Sequence, residues 1–166
     1  GSVSAGVSTR VGIGYDSHRF APGGPLVLGG VRIPSDVSLV GHSDADAICH
    51  AVTDAVLGAA AAGDIGSLFP DNDEANAGRD SIEMLRTALG SVHALGLSVF
   101  NVDVTVIAEF PRIAPHAPAI RARLAETLGV PVTSVSVKGK SNESMGWIGR
   151  GEGIACIAVA TLASER

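Results

Sequence analysis

Apolar and polar positions alternate most cleanly from Val99 to Ala108, where Val102, Val104 and Val106 are interleaved with Asn101, Asp103 and Thr105. A period of two marks a half-exposed strand whose polar face meets solvent or a partner. Strand-like runs also cover Val11 to Phe20, Pro25 to Ile33, Ser134 to Lys138 and Ile154 to Leu162. Pro22-Gly23-Gly24 between the first two is turn chemistry and predicts a hairpin. Ala45 to Ala62 is alanine-rich with no proline, which predicts a helix with Ser43 and Asp44 as candidate N-caps. Asp80 followed by Glu83 opens a second helix to about Leu95, stopped by Gly96, and Pro118 opens a third that ends at Gly129. Two polar stretches fall between these elements, Gly63 to Gly78 and the glycine-rich Gly139 to Gly153. Such long loops are often functional. The order predicts an α/β sandwich, α+β-like, with one mixed sheet backed by about three helices.

At 166 residues the chain fits one domain that buries roughly 70% of its unfolded surface. It reads as a single domain over 10–162, between a flexible tail at 1–9 opening with a Gly1-Ser2 cloning remnant and a C-terminal tail at 163–166. With 21 glycines and a single Trp and Tyr, the core must come from small and aliphatic residues packed at close range. A net charge of -5 without a clustered basic face argues against nucleic acid as a partner. No apolar run has the roughly 20 residues that span a bilayer, so no membrane partner is expected. The expectation is a bacterial cytoplasmic protein, with a plastid type left open because the N-terminus is open to trimming. Cys49 and Cys156 form no CxxC pair and suggest no disulfide framework.

Asp16 and His18 are two apart in a predicted strand, so both side chains leave one face. With His50 from the first helix they make a carboxylate and two imidazoles, a set suited to zinc that leaves a fourth position open. The competing reading makes Asp16 and His18 turn or surface residues and His50 a satisfied helix histidine. Asp46 and Asp54 share the helical face of His50, where either carboxylate can orient the imidazole; Asp46 also suits the first turn of the helix. Cys49 points away and is left out of the site. Asp64, Asp71, Asp73 and Glu74 cluster in the first loop, suited to a polyol, to a second cation or simply to solvent. Lys138-Gly139-Lys140-Ser141-Asn142-Glu143 mixes cationic, hydroxyl and carboxylate groups, ingredients for a phosphate and its metal or for a plain surface turn. Neither a P-loop nor a dinucleotide fingerprint is present. His93 and His116 are solitary, and Cys156 reads as core.

Five segments in order, Gly14-Tyr15-Asp16-Ser17-His18, Gly41-His42-Ser43-Asp44-Ala45-Asp46, Gly63-Asp64-Ile65-Gly66, Phe69-Pro70-Asp71 and Gly149-Arg150-Gly151-Glu152-Gly153, resemble the 2-C-methyl-D-erythritol 2,4-cyclodiphosphate synthases. The resemblance runs from about Arg10 to Leu162. It implies a homotrimeric lyase of the non-mevalonate route to isoprenoids, with active sites between subunits and 4-diphosphocytidyl-2-C-methyl-D-erythritol 2-phosphate as substrate and CMP as a product. It places zinc on Asp16, His18 and His50, with Asp16 and His18 also at the substrate. His42 and Ser43 fall beside the diphosphate. Asp64, Ile65, Gly66, Phe69, Pro70, Asp71, Asn72 and Asp73 fall at the erythritol part, and Glu143 at a second divalent ion, Mg2+ or Mn2+. The cytidine pocket, from the adjacent subunit, falls on Ala108, Pro111, Arg112, Ile113, Ala114, Gly139, Lys140 and Ser141, with Asn142 alongside. His42 and Ser141 are the candidates to orient the reacting phosphorus. Trp147 and Arg150 fall near the substrate or the trimer axis, where the resemblance implies an apolar cavity able to take an isoprenoid diphosphate. Lys140 departs from the Ala-Thr-Thr-Thr-Glu that many members carry, and Trp147 replaces a commoner Phe. Competing readings are a zinc phosphohydrolase and a non-catalytic oligomer binding isoprenoid diphosphate or metal.

Overall fold

A computed structural model describes residues 8–164; the expected tail residues 1–7 and 165–166 lie outside it. The elements run β1 (Thr9–Pro22), β2 (Leu26–Leu28), β3 (Val31–Ile33), β4 (Val37–Leu39), α1 (Ala47–Ala59), α2 (Ile65–Leu68), α3 (Ser81–Ala94), β5 (Leu97–Ile107), α4 (Ala117–Leu128), β6 (Val135–Lys140), α5 (Gly146–Gly149) and β7 (Gly153–Ser164), with short 3-10 turns at Glu74–Asn76, Ala114–His116 and Val132–Ser134.

Five strands form one sheet in the order β4-β1-β7-β5-β6. All neighbours are antiparallel except β5 and β6, which α4 joins by a crossover. The three long helices pack on one face of the sheet: Ile48, Val52 and Val56 of α1, Leu85 and Leu89 of α3, and Ile120 and Leu124 of α4 meet Val102, Val104, Val106, Ile154, Ala158 and Leu162. The alternation expected of Val99 to Ala108 is real, its three valines buried and Asn101, Asp103 and Thr105 partly exposed. Two of the expected helix boundaries also hold. Asp80 caps α3 by accepting the Ile82 N–H at 2.9 Å, and α4 ends on Gly129 in the left-handed region at φ 71°, where a residue without Cβ is unstrained.

Close packing of α1 on the sheet depends on glycine. A Cβ at Gly14 would stand 1.8 Å from the Ala51 carbonyl oxygen, and one at Gly12 would stand 2.0 Å from that of Ala55. The alanines of α1 supply the matching shallow surface, so helix and strand approach backbone to backbone. Arg10 fastens the far end, its Nε donating to the Ala59 carbonyl at 2.7 Å.

Four expectations need correction. Val11 to Phe20 does not form a hairpin with Pro25 to Ile33: β1 pairs with β7 and β4, while Pro25 to Ile33 folds on itself as the β2–β3 ribbon. The reversal falls at Gly29-Gly30, with φ of 60° and 74°, a double left-handed turn that glycine adopts at little cost. The first helix is capped by Asp46, not by Ser43 or Asp44; the Asp46 carboxylate accepts the Cys49 N–H at 3.0 Å. The stretch Gly63 to Gly78 is not structureless, because Asp64 caps α2 and Asp73 caps the 3-10 turn after it. Likewise Gly139 to Gly153 contains α5 and the last two residues of β6.

Candidate metal centre

β1 projects Asp16 and His18 toward α1, and α1 projects His50 back at them. One ligand atom from each lies within 4.8 Å of the others, a cluster that can hold a metal ion. Asp16 Oδ2 is the hub, 2.6 Å from His18 Nε2 and 3.1 Å from His50 Nδ1. The donor set fits a cation on chemical grounds. His18 Nδ1 lies 2.8 Å from the Val40 carbonyl oxygen, which can only accept, so Nδ1 carries a proton and the neutral ring turns a bare Nε2 lone pair toward a carboxylate oxygen. Two such acceptors are stable side by side only when a proton or a metal ion lies between them. Burial opposes charge on both groups, yet the mutual hydrogen bonds and attraction outweigh it. They hold the Asp16 carboxyl below its ordinary value and His18 above its own.

Neither carboxylate expected to orient His50 does so. Asp46 is fully buried with its side chain turned to the β2–β3 ribbon, where Oδ1 and Oδ2 accept the Gly29 and Gly30 N–H groups at 2.8 and 2.7 Å. Burial pushes its carboxyl up against those bonds. Asp54 accepts the Ile65 N–H at 2.7 Å and so anchors α2 to α1. The groups that do meet His50 Nε2 are the hydroxyls of Ser81, at 2.7 Å, and Ser43, at 2.8 Å. Ser81 went unread because it belongs to the helix after the loop, with nothing in its spacing to tie it to His50.

A cleft of about 240 Å³ opens over the cluster, lined by Asp16, His18 and His50 together with His42, Ser43, Ile65, Gly66, Phe69 and Asp71. Asn76 and Met84 also line it, and neither was expected. Asn76 is a clasp: its amide donates to the Pro70 carbonyl at 2.9 Å and its oxygen accepts from Arg79 at 3.1 Å, while the Arg79 guanidinium sits 4.8 Å above the Phe69 ring. Asp64, Pro70, Asn72 and Asp73 are exposed and are not among the residues lining this cleft.

The remaining candidates lie elsewhere. Ala108, Pro111, Arg112, Ile113, Ala114, Gly139, Lys140 and Ser141 line a second cleft of about 280 Å³, with Glu109. Asn142, Glu143 and Ser144 follow on a turn in which Glu143 and Ser144 both have positive φ, 53° and 60°. Glu109 Oε1 holds that turn by accepting the Asn142 and Ser144 N–H groups at 2.9 and 3.2 Å. Glu143 is exposed and outside the metal-ligand cluster. Trp147 lines a third, larger cleft of about 670 Å³ with Phe20 and Glu152, which adjoins the metal cluster through His18, and Arg150 is paired with Glu152. No helix among the described residues is long and apolar enough to cross a membrane.

Comparison with known proteins follows this layout. The 2-C-methyl-D-erythritol 2,4-cyclodiphosphate synthase of Gemmatimonas aurantiaca is 63% identical over 153 residues, covering 92% of each chain. Among solved structures, the bifunctional IspDF from Campylobacter jejuni matches with a TM-score of 0.92 at 36% identity, over 96% of this chain and 43% of that longer one. IspF from Plasmodium falciparum, solved as a CDP complex, matches at 0.83 and 35% identity, over 95% of this chain and 97% of that one. The sequence profile of the YgbB family covers residues 9–163, from the first residue of β1 to the penultimate residue of β7, and the chain belongs to that family.

Proposed function

We propose that the chain converts 4-diphosphocytidyl-2-C-methyl-D-erythritol 2-phosphate into 2-C-methyl-D-erythritol 2,4-cyclodiphosphate and CMP, a step of the non-mevalonate isoprenoid pathway. The observation that carries this reading is the Asp16, His18 and His50 cluster at the base of a cleft lined by His42, Ser43 and Phe69, in a chain 63% identical to a synthase of that name. The metal is zinc by the chemistry of one carboxylate and two imidazoles. When bound it supplies a Lewis acid that polarises a phosphoryl oxygen.

An oxygen of the substrate's 2-phosphate attacks the β-phosphorus of its own diphosphate, the bond from that phosphorus to the CMP oxygen breaks, and CMP leaves. Both reacting groups belong to one molecule, so the chain's work is placement and the exclusion of water. Ile65, Gly66, Phe69 and Asp71 hold the methylerythritol part, with Asp64, Pro70, Asn72 and Asp73 from the same stretch of chain. His42 and Ser43 flank the diphosphate. The second cleft, from Ala108 to Ala114 with Gly139 to Ser141, takes the cytidine, and Ser141 and His42 orient the reacting phosphorus by hydrogen bonding. Glu143 would hold a second divalent ion, magnesium or manganese, which would supply positive charge to the diphosphate.

The two clefts lie along one end of the sheet, the first at β1 and the second at β5 and β6 with β7 between them; in a site shared between subunits, the first comes from one copy and the second from its neighbour. The face of the sheet away from the helices supports a homotrimer: Val11 is 67% exposed, Ile13 70% and Tyr15 56%, an apolar surface larger than a lone soluble subunit ordinarily shows. The third cleft, beside Phe20 and Trp147, is the place for an isoprenoid diphosphate near the trimer axis. Running the reaction in 18O-labelled water and weighing the products tests the chemistry. Unlabelled cyclic diphosphate and one equivalent of unlabelled CMP are expected; label in the methylerythritol product means hydrolysis and overturns the cyclase reading, and no CMP at all means a binding protein.

A further inference from the structure

His50 turns Nδ1 toward Asp16 and Nε2 toward the hydroxyls of Ser81 and Ser43. A neutral imidazole carries one ring proton, and only the bare nitrogen can bind a cation. The partners of Nε2 therefore decide whether Nδ1 is a ligand. Ser81 has a single hydroxyl proton, and it is donated to Asp44 Oδ1. Its backbone N–H donates to the other oxygen of the same carboxylate, at 3.1 Å, so Asp44 grips Ser81 at two points. What Ser81 has left for His50 is lone pairs, which makes Nε2 the donor. Ser81 is fully buried, and no solvent molecule can take its place. Asp44 is itself held, its N–H donating to the Arg79 carbonyl at 3.3 Å and its Oδ1 accepting the Asp46 N–H at 3.2 Å.

We infer that Asp44 and Ser81 are positioning residues for the metal centre: the carboxylate sets the direction of the hydroxyl proton, and the hydroxyl fixes His50 as the tautomer with a bare Nδ1 facing Asp16 and His18. The inference rests on the reading of Asp16, His18 and His50 as metal ligands. It also separates the two serines that touch Nε2. Ser81 accepts from the ring, so the Ser43 hydroxyl is released to donate its proton into the cleft, where a phosphoryl oxygen is the natural acceptor.

Asp44→Ala breaks the relay in a defined direction. With the carboxylate gone, the remaining partner of Ser81 Oγ is His50 Nε2; the hydroxyl proton turns to it, and the ring proton moves to Nδ1. Ser81→Ala removes the acceptor outright. For the full chain and both variants, two quantities are measured without substrate: the zinc Kd by competition with a chelator, and the 15N shifts of the His50 ring nitrogens in the metal-free protein. The metal-free wild type is expected to carry a proton at Nε2, Asp44→Ala to be bare at Nε2 with its proton on Nδ1, and both variants are expected to bind zinc on the order of ten- to a hundredfold more weakly, the usual cost of losing such an outer partner. Thermal melts of the metal-free proteins check that each variant folds; should Ser81→Ala unfold, the tautomer of Asp44→Ala decides. A wild-type ring bare at Nε2, or an unchanged zinc Kd in folded variants, overturns the inference. Absence of cyclase turnover in the wild type would count against the proposed reaction and leave these readouts intact.

Discussion

The two faces of β1 are built from interleaved residues of one strand and have opposite relations to the rest of the molecule. The face toward α1 carries Gly12, Gly14, Asp16 and His18; the face away from it carries Val11, Ile13, Tyr15 and Ser17. On the first, two residues without side chains let the helix backbone come close enough for His50 to reach the carboxylate of Asp16. On the second, three large apolar side chains stand more than half exposed. In an ordinary half-buried strand the large apolar groups point inward. Here the inward face is emptied to admit a helix, and the apolar groups are on the outside, where only another surface can cover them. One strand thus carries both the metal centre and the surface proposed for assembly.

The largest effect is expected from filling the emptied face. Gly14→Ala sets a methyl group against the Ala51 backbone, which cannot yield without moving α1; a loss of about 3 kcal/mol or more is expected, at the upper end of overpacking effects, together with loss of metal. Chemical denaturation and metal analysis of the same sample check it, and a variant with wild-type stability would show that helix and strand are not locked at this point. His50→Ala leaves the close packing but removes the only ligand that α1 contributes among the described residues. Metal content should fall to background while circular dichroism stays unchanged; retained zinc would refute the ligand assignment. Ile13→Asp addresses the other face: the subunit should fold and keep its metal, and light scattering should show a trimer reduced to monomers. A monomeric wild type would remove that face from any role in assembly. The smallest effect belongs to the polar part of the same sheet surface, where Lys138 Nζ and Asp103 Oδ2 are 2.9 Å apart. Partial burial would raise the Asp103 carboxyl, but Ser136 and Lys138 hold it below its usual value. Its contribution is therefore complete above the unfolded-state pKa, about 3.9, and is lost as the pH falls through the lower folded value. For so exposed a pair, Lys138→Met should change stability at neutral pH by at most about 1 kcal/mol, which a denaturation series resolves.

The elements that could be read from the sequence are those with a strong local signal. The valines of β5 keep their period because one side meets the core and the other does not, and α3 and α4 stop at Gly96 and Gly129, where the backbone turns left-handed. The metal cluster was legible for the same kind of reason, since Asp16 and His18 are fixed to one face by strand geometry alone. Pairing was harder. Pro22-Gly23-Gly24 has turn chemistry and does turn, but the chain goes on to β4, and the partner of β1 is more than a hundred residues away in β7. The roles of the acids on α1 were equally hidden. Helical spacing puts Asp46, His50 and Asp54 on one side, yet the β2–β3 ribbon and the start of α2 offer unpaired N–H groups that claim both carboxylates. Ser81, which meets His50 in their place, is brought there by a loop no periodicity describes.

The register of β1 with β7, Thr9 opposite Ala163 through Arg19 opposite Gly153, has a consequence for biosynthesis. Of the elements described, β1 leaves the ribosome first and its principal partner last. Until Gly153 to Ser164 has emerged, Asp16 and His18 sit on a strand with no central neighbour, and the glycine face that receives α1 has no sheet to belong to. Contacts of such long sequence separation are slow to form, and an unpaired apolar strand is a hazard while it waits. The residues that hold the metal are made early and assembled late, so the nascent chain cannot close this centre around an ion until the whole domain is free to fold.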